Sequence, residues 1–317
     1  MKTIGGFFEL ELPLKGRSPH PEAIALSTGR ACLMVILDVI RPSMVHVPFH
    51  TCDATLEPFK QLKIETRFYA LKENLEPASL PILGIGEYFL WTNYYGLCGD
   101  LTDRLKQHYA DRLIIDDTHA FFQGIHPGHW SFTSARKYFG VPDGAYLFTP
   151  RPIEVEAPRF TAISMDHGML RAMGLQQEAF AAYQRYEACL PCAVNRISTV
   201  SEGLLRGVDL EATKARRRLN FEFFAERIGH LDHLKLHLAS DAVPFCFPFL
   251  PESPMDRAAL YTKGFFIPRY WPDAERRNTT GFEVERRLGA DLLPLPVDHR
   301  YTPEDLMPLV HHILQQQ

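Results

Sequence analysis

The chain has no long apolar run, no excess charge of one sign and few cysteines, and each shortage removes a class of protein. No stretch approaches the ~20 consecutive apolar residues that a membrane-spanning helix needs. The opening, "MKTIGGFFELELPLKG", alternates instead of forming the continuous apolar segment of a secretory signal. Lys and Arg number 34 against 38 Asp and Glu, a net charge of −4. Both signs are mixed throughout, so there is no electrostatic case for nucleic acid or an anionic membrane surface as a partner. Six cysteines, Cys32, Cys52, Cys98, Cys189, Cys192 and Cys246, lack the spacing of a disulfide framework, and a reducing cytoplasm is the expected compartment. "CLPC" (189–192) is the one close pair. Without a second pair or ligand-spaced histidines beside it, it reads as two ordinary thiols, and no metal is expected. Internal repeats and low-complexity tracts are missing too.

What is there is a globular composition, 46% hydrophobic over 317 residues, enough for a large and a smaller domain. In the first two-thirds, strand-like and helix-like segments alternate. "TGRACLMVILDVIR" (28–41) has a helical apolar face, "MVHVP" (44–48) is a β-branched run, "CDATLEPFKQL" (52–62) is helical and "IETRFYAL" (64–71) is a strand. "YFLWTNYYG" (88–96) reads as a strand ending in a loop, "DLTDRLKQHYADR" (100–112) as a helix opened by an Asp cap, and "LIID" (113–116) as a short buried strand. This alternation predicts an α/β fold, a mostly parallel sheet between helices with ligands at the carboxyl ends of its strands. Helices follow at 178–190 and over 198–229, the latter as two helices or a bent one because it holds two glycines. The remainder, with strand-like "LKLHLAS", "PFCFPFL" and "GFFIPRYW" and a closing helix, predicts a smaller α+β domain. The boundaries expected are 1–195 for the large domain, 196–229 for connecting helices and 230–317 for the small one.

Three segments of the large domain carry chemistry. In "WSFTSARKYFGVPDGAYLF" (130–148), Lys137 closes a strand-like run, where an amine is costly unless something uses it. In "LIIDDTHAFF" (113–122), Asp116 ends a buried strand and wants a cationic partner, with His119 three residues on. In "LSTGRACL" (26–33), small residues open a helix whose free N–H groups attract phosphate, with Thr28 and Gly29 able to approach it closely. A phosphate cradle, a strand-end carboxylate and a strand-end amine are the parts that hold pyridoxal 5′-phosphate (PLP): the lysine takes its aldehyde, the carboxylate keeps its ring nitrogen protonated and the helix end takes its phosphate.

On these residues the chain resembles the fold-type I PLP enzymes of the DegT/DnrJ/EryC1/StrS group, the sugar aminotransferases. "TGRACL", holding Thr28, Gly29 and Arg30, is similar to the group's phosphate-binding helix start, "VPFHTCDATLEPF" (47–59) to its segment beside the ring, and "WTNYYG" (91–96) to its strand before a glycine loop. "IIDDTHAFF" resembles its Asp-x-x-His element and "SARKYFGVPDGAYLF" its lysine segment. "NRISTVSEGLLRGVDLEATKARRRLNFEFF" (195–224) resembles the helix after a loop that reaches the partner subunit. The match covers most of the chain. It implies PLP bound covalently to Lys137, with Asp116 at the ring nitrogen, His119 at the phenolic oxygen, and Thr28, Gly29, Arg30 and a serine, Ser134 or Ser131, at the phosphate.

The chain also departs from the group's pattern. It is shorter than most members, Cys52 stands where an aromatic group often stacks on the ring, and Asn195 is followed directly by Arg196 where the partner-reaching loop has one residue between them. His50 and the aromatics of "NYYG" are alternatives for covering the ring, while Arg269, Tyr270 and Trp271 are candidates for the substrate side. The resemblance implies a homodimeric aminotransferase that passes an amino group from an amino acid such as glutamate to a nucleotide-linked keto sugar in polysaccharide or lipopolysaccharide biosynthesis. Two alternatives stay open: another PLP reaction, such as a sugar dehydratase or lyase, and a PLP-fold protein that only binds. Retention of lysine weighs against the dehydratase, since that branch commonly has histidine there.

Overall fold

Short strands, most of them buried on both faces, build the frame, and the computed structural model, which describes residues 8, 10–13, 15–277 and 279–316, shows them as one seven-stranded sheet. Its strands are β1 (Ile24–Leu26), β2 (Met44–Pro48), β3 (Glu65–Tyr69), β4 (Glu87–Thr92), β5 (Leu113–Asp116), β6 (Trp130–Ser134) and β7 (Ala145–Phe148), in the order β1-β7-β6-β5-β4-β2-β3. Strands β2 to β6 pair in parallel, and the edge formed by β7 and β1 is antiparallel.

Period-two side-chain direction divides the core between the faces of this sheet. Val45, Val47, Leu90, Ile114, Trp130, Phe132 and Leu147 join a core with α1 (Gly29–Ile40) and α2 (Asp53–Leu62). Phe89, Trp91, Leu113, Ile115, Tyr146 and Phe148 belong to the core that contains Leu105 and Tyr109 of α3 (Gly99–Tyr109). Leu90 and Ile114 are fully buried, each contributing ~2 kcal/mol of transfer free energy. The same parity decides where the polar residues at the strand ends point. Thr92 follows Leu90, Asp116 follows Ile114 and Ser134 follows Phe132, so all three lie on the α1 face, with Thr92 in register with Asp116 and Asp116 with Phe132.

The later chain is mostly helical: α4 (Asp166–Ala172), α5 (Gln176–Cys189), α6 (Thr199–Arg206) and α7 (Leu210–Ile228). The expected break in 198–229 falls at Gly207, and Asp209 caps the start of α7 by accepting from the Ala212 amide. A second, two-stranded sheet joins β8 (Cys246–Phe249) antiparallel to β9 (Leu293–Pro296). It packs with α7, α8 (Arg257–Thr262) and α11 (Pro303–Gln316), while α9 (Pro272–Arg276) and α10 (Glu283–Asp291) pack on each other.

Three local expectations change. "LKLHLAS" forms no strand, because Lys235 takes a left-handed backbone, φ 51°. "GFFIPRYW" forms none either, interrupted by Gly264 (φ 86°), Pro268 and Trp271 (φ 51°). Helix α3 is not capped by Asp100, which sits in its first turn; Cys98 is the cap residue and makes no side-chain cap bond.

After β4 the chain turns sharply through Tyr94–Gly96, and Gly96 (φ 69°) meets the loop that follows β5. A Cβ there would lie 2.6 Å from the His119 carbonyl oxygen and 3.1 Å from that of Val243, contacts that backbone cannot yield cheaply. Gly96→Ala is therefore expected to cost about 1–3 kcal/mol in urea unfolding. A change below a few tenths of a kcal/mol would show that this close approach is not a constraint.

Candidate active site

Two strand ends and a helix start meet at one cavity of ≈ 1570 Å³, larger than the ~300–1,000 Å³ of a single small-ligand site. Asp116 comes from the end of β5, Ser134 from the end of β6, Lys137 from the 3-10 turn Ala135–Lys137 that follows it, and Thr28, Gly29 and Arg30 from the start of α1. His119 and Cys52 line the same space.

The start of α1 is a ready anion site. Thr28 caps the helix, its Oγ1 accepting from the Ala31 amide at 3.0 Å. The Gly29 and Arg30 amides have no acceptor among the described residues, as expected for the first turn of a helix. A Cβ on Gly29 would meet Phe132 and Thr118 at 3.6 Å, ordinary contact, so neither backbone nor packing demands glycine here. Close approach by a ligand is a reason for it that the fold does not supply. The Arg30 guanidinium turns to Glu57 of α2, 2.7 Å away.

Asp116 is 5% exposed, and its Oδ1 accepts from the Thr118 amide at 2.9 Å. Burial pushes its pKa from 3.8 up to about 6, against the pull of the Thr118 hydrogen bonds and, further down, of the Lys137 charge. Its neighbour Asp117 points the other way and is fully engaged: Oδ1 accepts from Asn93 Nδ2 at 3.0 Å, and Oδ2 lies 2.6 Å from His126 Nε2. The Asp117 carbonyl accepts from Thr133 Oγ1 at 2.7 Å, and Asn93 Oδ1 accepts from the Cys98 amide. This network fixes the turn that carries Asp116 and His119. Sequence reasoning missed Asn93 and His126, because their only signal is a carboxylate that lies many residues away or beside another carboxylate.

His119 is 3% exposed and stacks on Phe245 with centroids 4.2 Å apart, beside Trp271 at 5.2 Å. Burial, then the charge of Lys137, hold its pKa well below the ordinary histidine value, and its Nδ1 has no partner. Tyr138 Oη donates to its carbonyl at 2.6 Å.

Lys137 itself corrects an expectation. It is exposed, beyond the strand end on its 3-10 turn, with Nζ 6.0 Å from the centroid of Tyr270. Its amine stands in the cavity, not in the sheet. Ser134 lines the cavity, whereas Ser131, three residues back on a strand of period two, lies on the opposite face, fully buried and without a hydrogen-bond partner. Cys52 precedes α2, its Sγ 3.3 Å from Thr55 Oγ1. Asn195 is not brought to the cavity of its own chain: its carbonyl accepts from the Ser27 amide and its side chain donates to the Ala193 carbonyl. Tyr270 and Trp271 do line the cavity, and Trp271 covers His50 at 4.4 Å.

With this geometry in place, solved structures of the same fold can be compared. The chain is similar to the sugar aminotransferase CalS13 from Micromonospora echinospora (TM-score 0.64, 15% identity, 94% of this chain and 88% of that one). It is similar also to the aminotransferase TlmJ from Streptoalloteichus hindustanus (TM-score 0.65, 14% identity, 92% and 84%). A third is the putative sugar aminotransferase Spr1654 from Streptococcus pneumoniae in its PMP form (TM-score 0.65, 12% identity, 93% and 87%). No protein-family model matches the chain, and no curated protein matches it by sequence. The fold is that of these aminotransferases, with the mostly parallel sheet expected from sequence.

The buried Asp116 gives a pH signature. Between pH 3.8 and about 6 the folded chain keeps a proton that the unfolded chain has released, so this group's contribution to stability declines as pH rises through that window. The decline is up to ~3 kcal/mol. In urea unfolding of cofactor-free protein, Asp116→Asn is expected to gain on wild type from about pH 4 to about pH 7, by up to ~3 kcal/mol. A difference that stays flat with pH would contradict the burial of this carboxylate.

Proposed function

We propose that the chain is a PLP-dependent aminotransferase that moves an amino group from an amino acid such as glutamate to a keto sugar. The observation that carries this reading is the convergence in one cavity of the Asp116 carboxylate, the Lys137 amine and the free amides of Gly29 and Arg30. The residues fit the cofactor. A strand-end carboxylate held up at about 6 by burial has no cation in contact, a buried imidazole nitrogen lacks a partner, and a helix start offers unmatched N–H groups.

Bound there, PLP would supply an aldehyde and an electron-accepting ring through which an amino group can pass between carbon skeletons. Lys137 would hold the aldehyde end. Its amine, free when the donor has taken its place, would take a proton from the donor's α-carbon as base and deliver it as acid to the carbon that was the cofactor's aldehyde. Asp116 would face the ring nitrogen and hold a proton on it, each charge offsetting the other's desolvation. His119, kept neutral by burial, would offer Nδ1 to the phenolic oxygen. The Gly29 and Arg30 amides with the Thr28 and Ser134 hydroxyls would take the phosphate, and the Arg30 side chain would join them on leaving Glu57. Cys52 would lie along the ring, with Trp271 the larger apolar surface beside it.

The finer reading is a homodimer in the cytoplasm that acts on a nucleotide-linked sugar in polysaccharide or lipopolysaccharide biosynthesis. Unpaired cysteines support the compartment. Exposed Met169, Met173 and Phe180 on the α4–α5 arm support an interface between copies, in which Asn195 would serve the neighbouring site.

Adding PLP is expected to produce a visible absorption band that Lys137→Ala abolishes, and glutamate is expected to bleach it with stoichiometric release of 2-oxoglutarate. A wild-type protein that takes up no PLP contradicts the cofactor; a band that no amino acid bleaches contradicts transamination. Gly29→Ala is expected to weaken PLP binding by about tenfold or more while leaving the unfolding midpoint nearly unmoved. Equal affinity would mean that the helix start does not meet the phosphate.

A further inference from the structure

Helix α5 presents one stripe to the cavity. Gln176, Phe180, Tyr183 and Glu187 recur at i, i+4, i+7 and i+11, and all four line the space into which the Lys137 amine stands. Ala179, Ala182 and Tyr186 fill the neighbouring, buried stripe. The helix is tied to the lysine turn. Arg136, directly before Lys137, pairs with Glu187 and lies 5.8 Å from the centroid of the Tyr186 ring, and His167 of α4 stacks on that ring at 5.7 Å. A helix held in this way is a rigid mount for groups that meet a ligand.

The end of the stripe next to the lysine turn has open, accessible polar groups. The Glu187 side chain is 36% exposed; its Oε1 meets the Arg136 guanidinium, and its Oε2 has no donor among the described residues. Tyr183, one turn back and 41% exposed, has no hydrogen-bond partner for its hydroxyl among the described residues. Four residues of helix rise put the two positions ~6 Å apart, a spacing that two substituents of one six-membered ring can bridge. A carboxylate oxygen only accepts, whereas a phenol donates and accepts. A ligand that satisfies both must donate to Glu187, which an alcohol does and an ionised carboxylate does not. Arg136 is already neutralised by Glu187, so an anionic acceptor would meet a like charge on this wall and find no unpaired counter-ion beside it.

We infer that Glu187 and Tyr183 are specificity-determining residues for the acceptor, bonding hydroxyl groups on the carbons that flank its carbonyl while that carbonyl lies toward Lys137. This rests on the aminotransferase reading. It narrows the acceptor to hydroxyketones, as against keto acids and plain or deoxygenated ketones, and it assigns the choice to the chain's own α5, fixed to the lysine turn by the Arg136–Glu187 pair.

The test loads the protein with pyridoxamine 5′-phosphate and follows the return of the visible absorption band in a single turnover with two ring ketones, 2-hydroxycyclohexanone and cyclohexanone. They differ by one hydroxyl beside the carbonyl, and comparing their rate ratio between variants cancels the difference in intrinsic reactivity. Glu187→Ala removes the charged acceptor and is expected to cut the preference for the hydroxyketone by about tenfold or more. Tyr183→Phe is expected to cut it by about threefold. Glu178→Gln, an exposed carboxylate of α5 outside the cavity, is expected to change the ratio by less than about twofold. The inference is overturned if both cavity variants keep the wild-type ratio, if Glu178→Gln carries the loss, or if Glu187→Ala and Tyr183→Phe slow pyruvate, a keto acid, as much as the hydroxyketone. Should loss of the Arg136 partner in Glu187→Ala disturb the lysine turn, Tyr183→Phe leaves that pair in place and still decides. A wild type that takes up neither PLP nor pyridoxamine 5′-phosphate would strike the underlying reading, whereas a band that returns with no dependence on Glu187 or Tyr183 strikes this inference alone.

Discussion

A carboxylate at the dry end of a central strand sets the terms for everything around it. Asp116 cannot be solvated by water at 5% exposure, its one backbone donor is the Thr118 amide, and Thr92 and Phe132 flank it across the sheet. Such a group is either neutral or matched by a cation. Its sequence neighbour shows the contrast: Asp117, one residue on and pointing to the other face, has both oxygens occupied by Asn93 and His126. One acid is spent on structure and the other lines the cavity, and strand parity decides which.

Around that carboxylate the cavity is closed by segments that are distant in the chain. Arg277, beyond α9, donates to the carbonyls of Phe49 and Thr51 at 2.6 and 2.9 Å and pairs with Asp53, so the turn that carries Trp271 is bolted to the segment that carries His50 and Cys52. Glu285 of α10 accepts from the Leu71 amide, a second tie across the same boundary. Neither Arg277 nor Glu285 lines the cavity. Both hold Tyr270 and Trp271 over it, and Trp271 keeps a left-handed backbone, which costs ~1–3 kcal/mol and persists only where surroundings over-determine it.

The sheet was legible because its strands are apolar runs of the expected length separated by amphipathic helices, and the polar end of each strand could be read directly: Asp116 after "LII", Ser134 after "SFT". The start of α1 was legible from Thr28 and Gly29 for the same local reason. The environment of Lys137 was not, since a 3-10 turn after β6 moves the amine from strand to cavity and no residue pattern distinguishes the two. The later chain was harder. "LKLHLAS" and "GFFIPRYW" alternate like strands, yet single left-handed residues break them, and the strand that pairs with β8 is the proline-rich Leu293–Pro296, whose composition argues against a strand. In "KARRRLN" three arginines look alike until α7 turns Arg217 inward, to 1% exposure.

The central claim is that Lys137, and no other amine, holds PLP in this cavity. It is tested most directly by incubating the protein with PLP, reducing with borohydride and mapping the modified peptide by mass spectrometry. The account predicts one phosphopyridoxyl group per chain, on Lys137, and a much reduced yield in Asp116→Ala. A label spread over surface lysines, or absent from the peptide that contains Lys137, would contradict it.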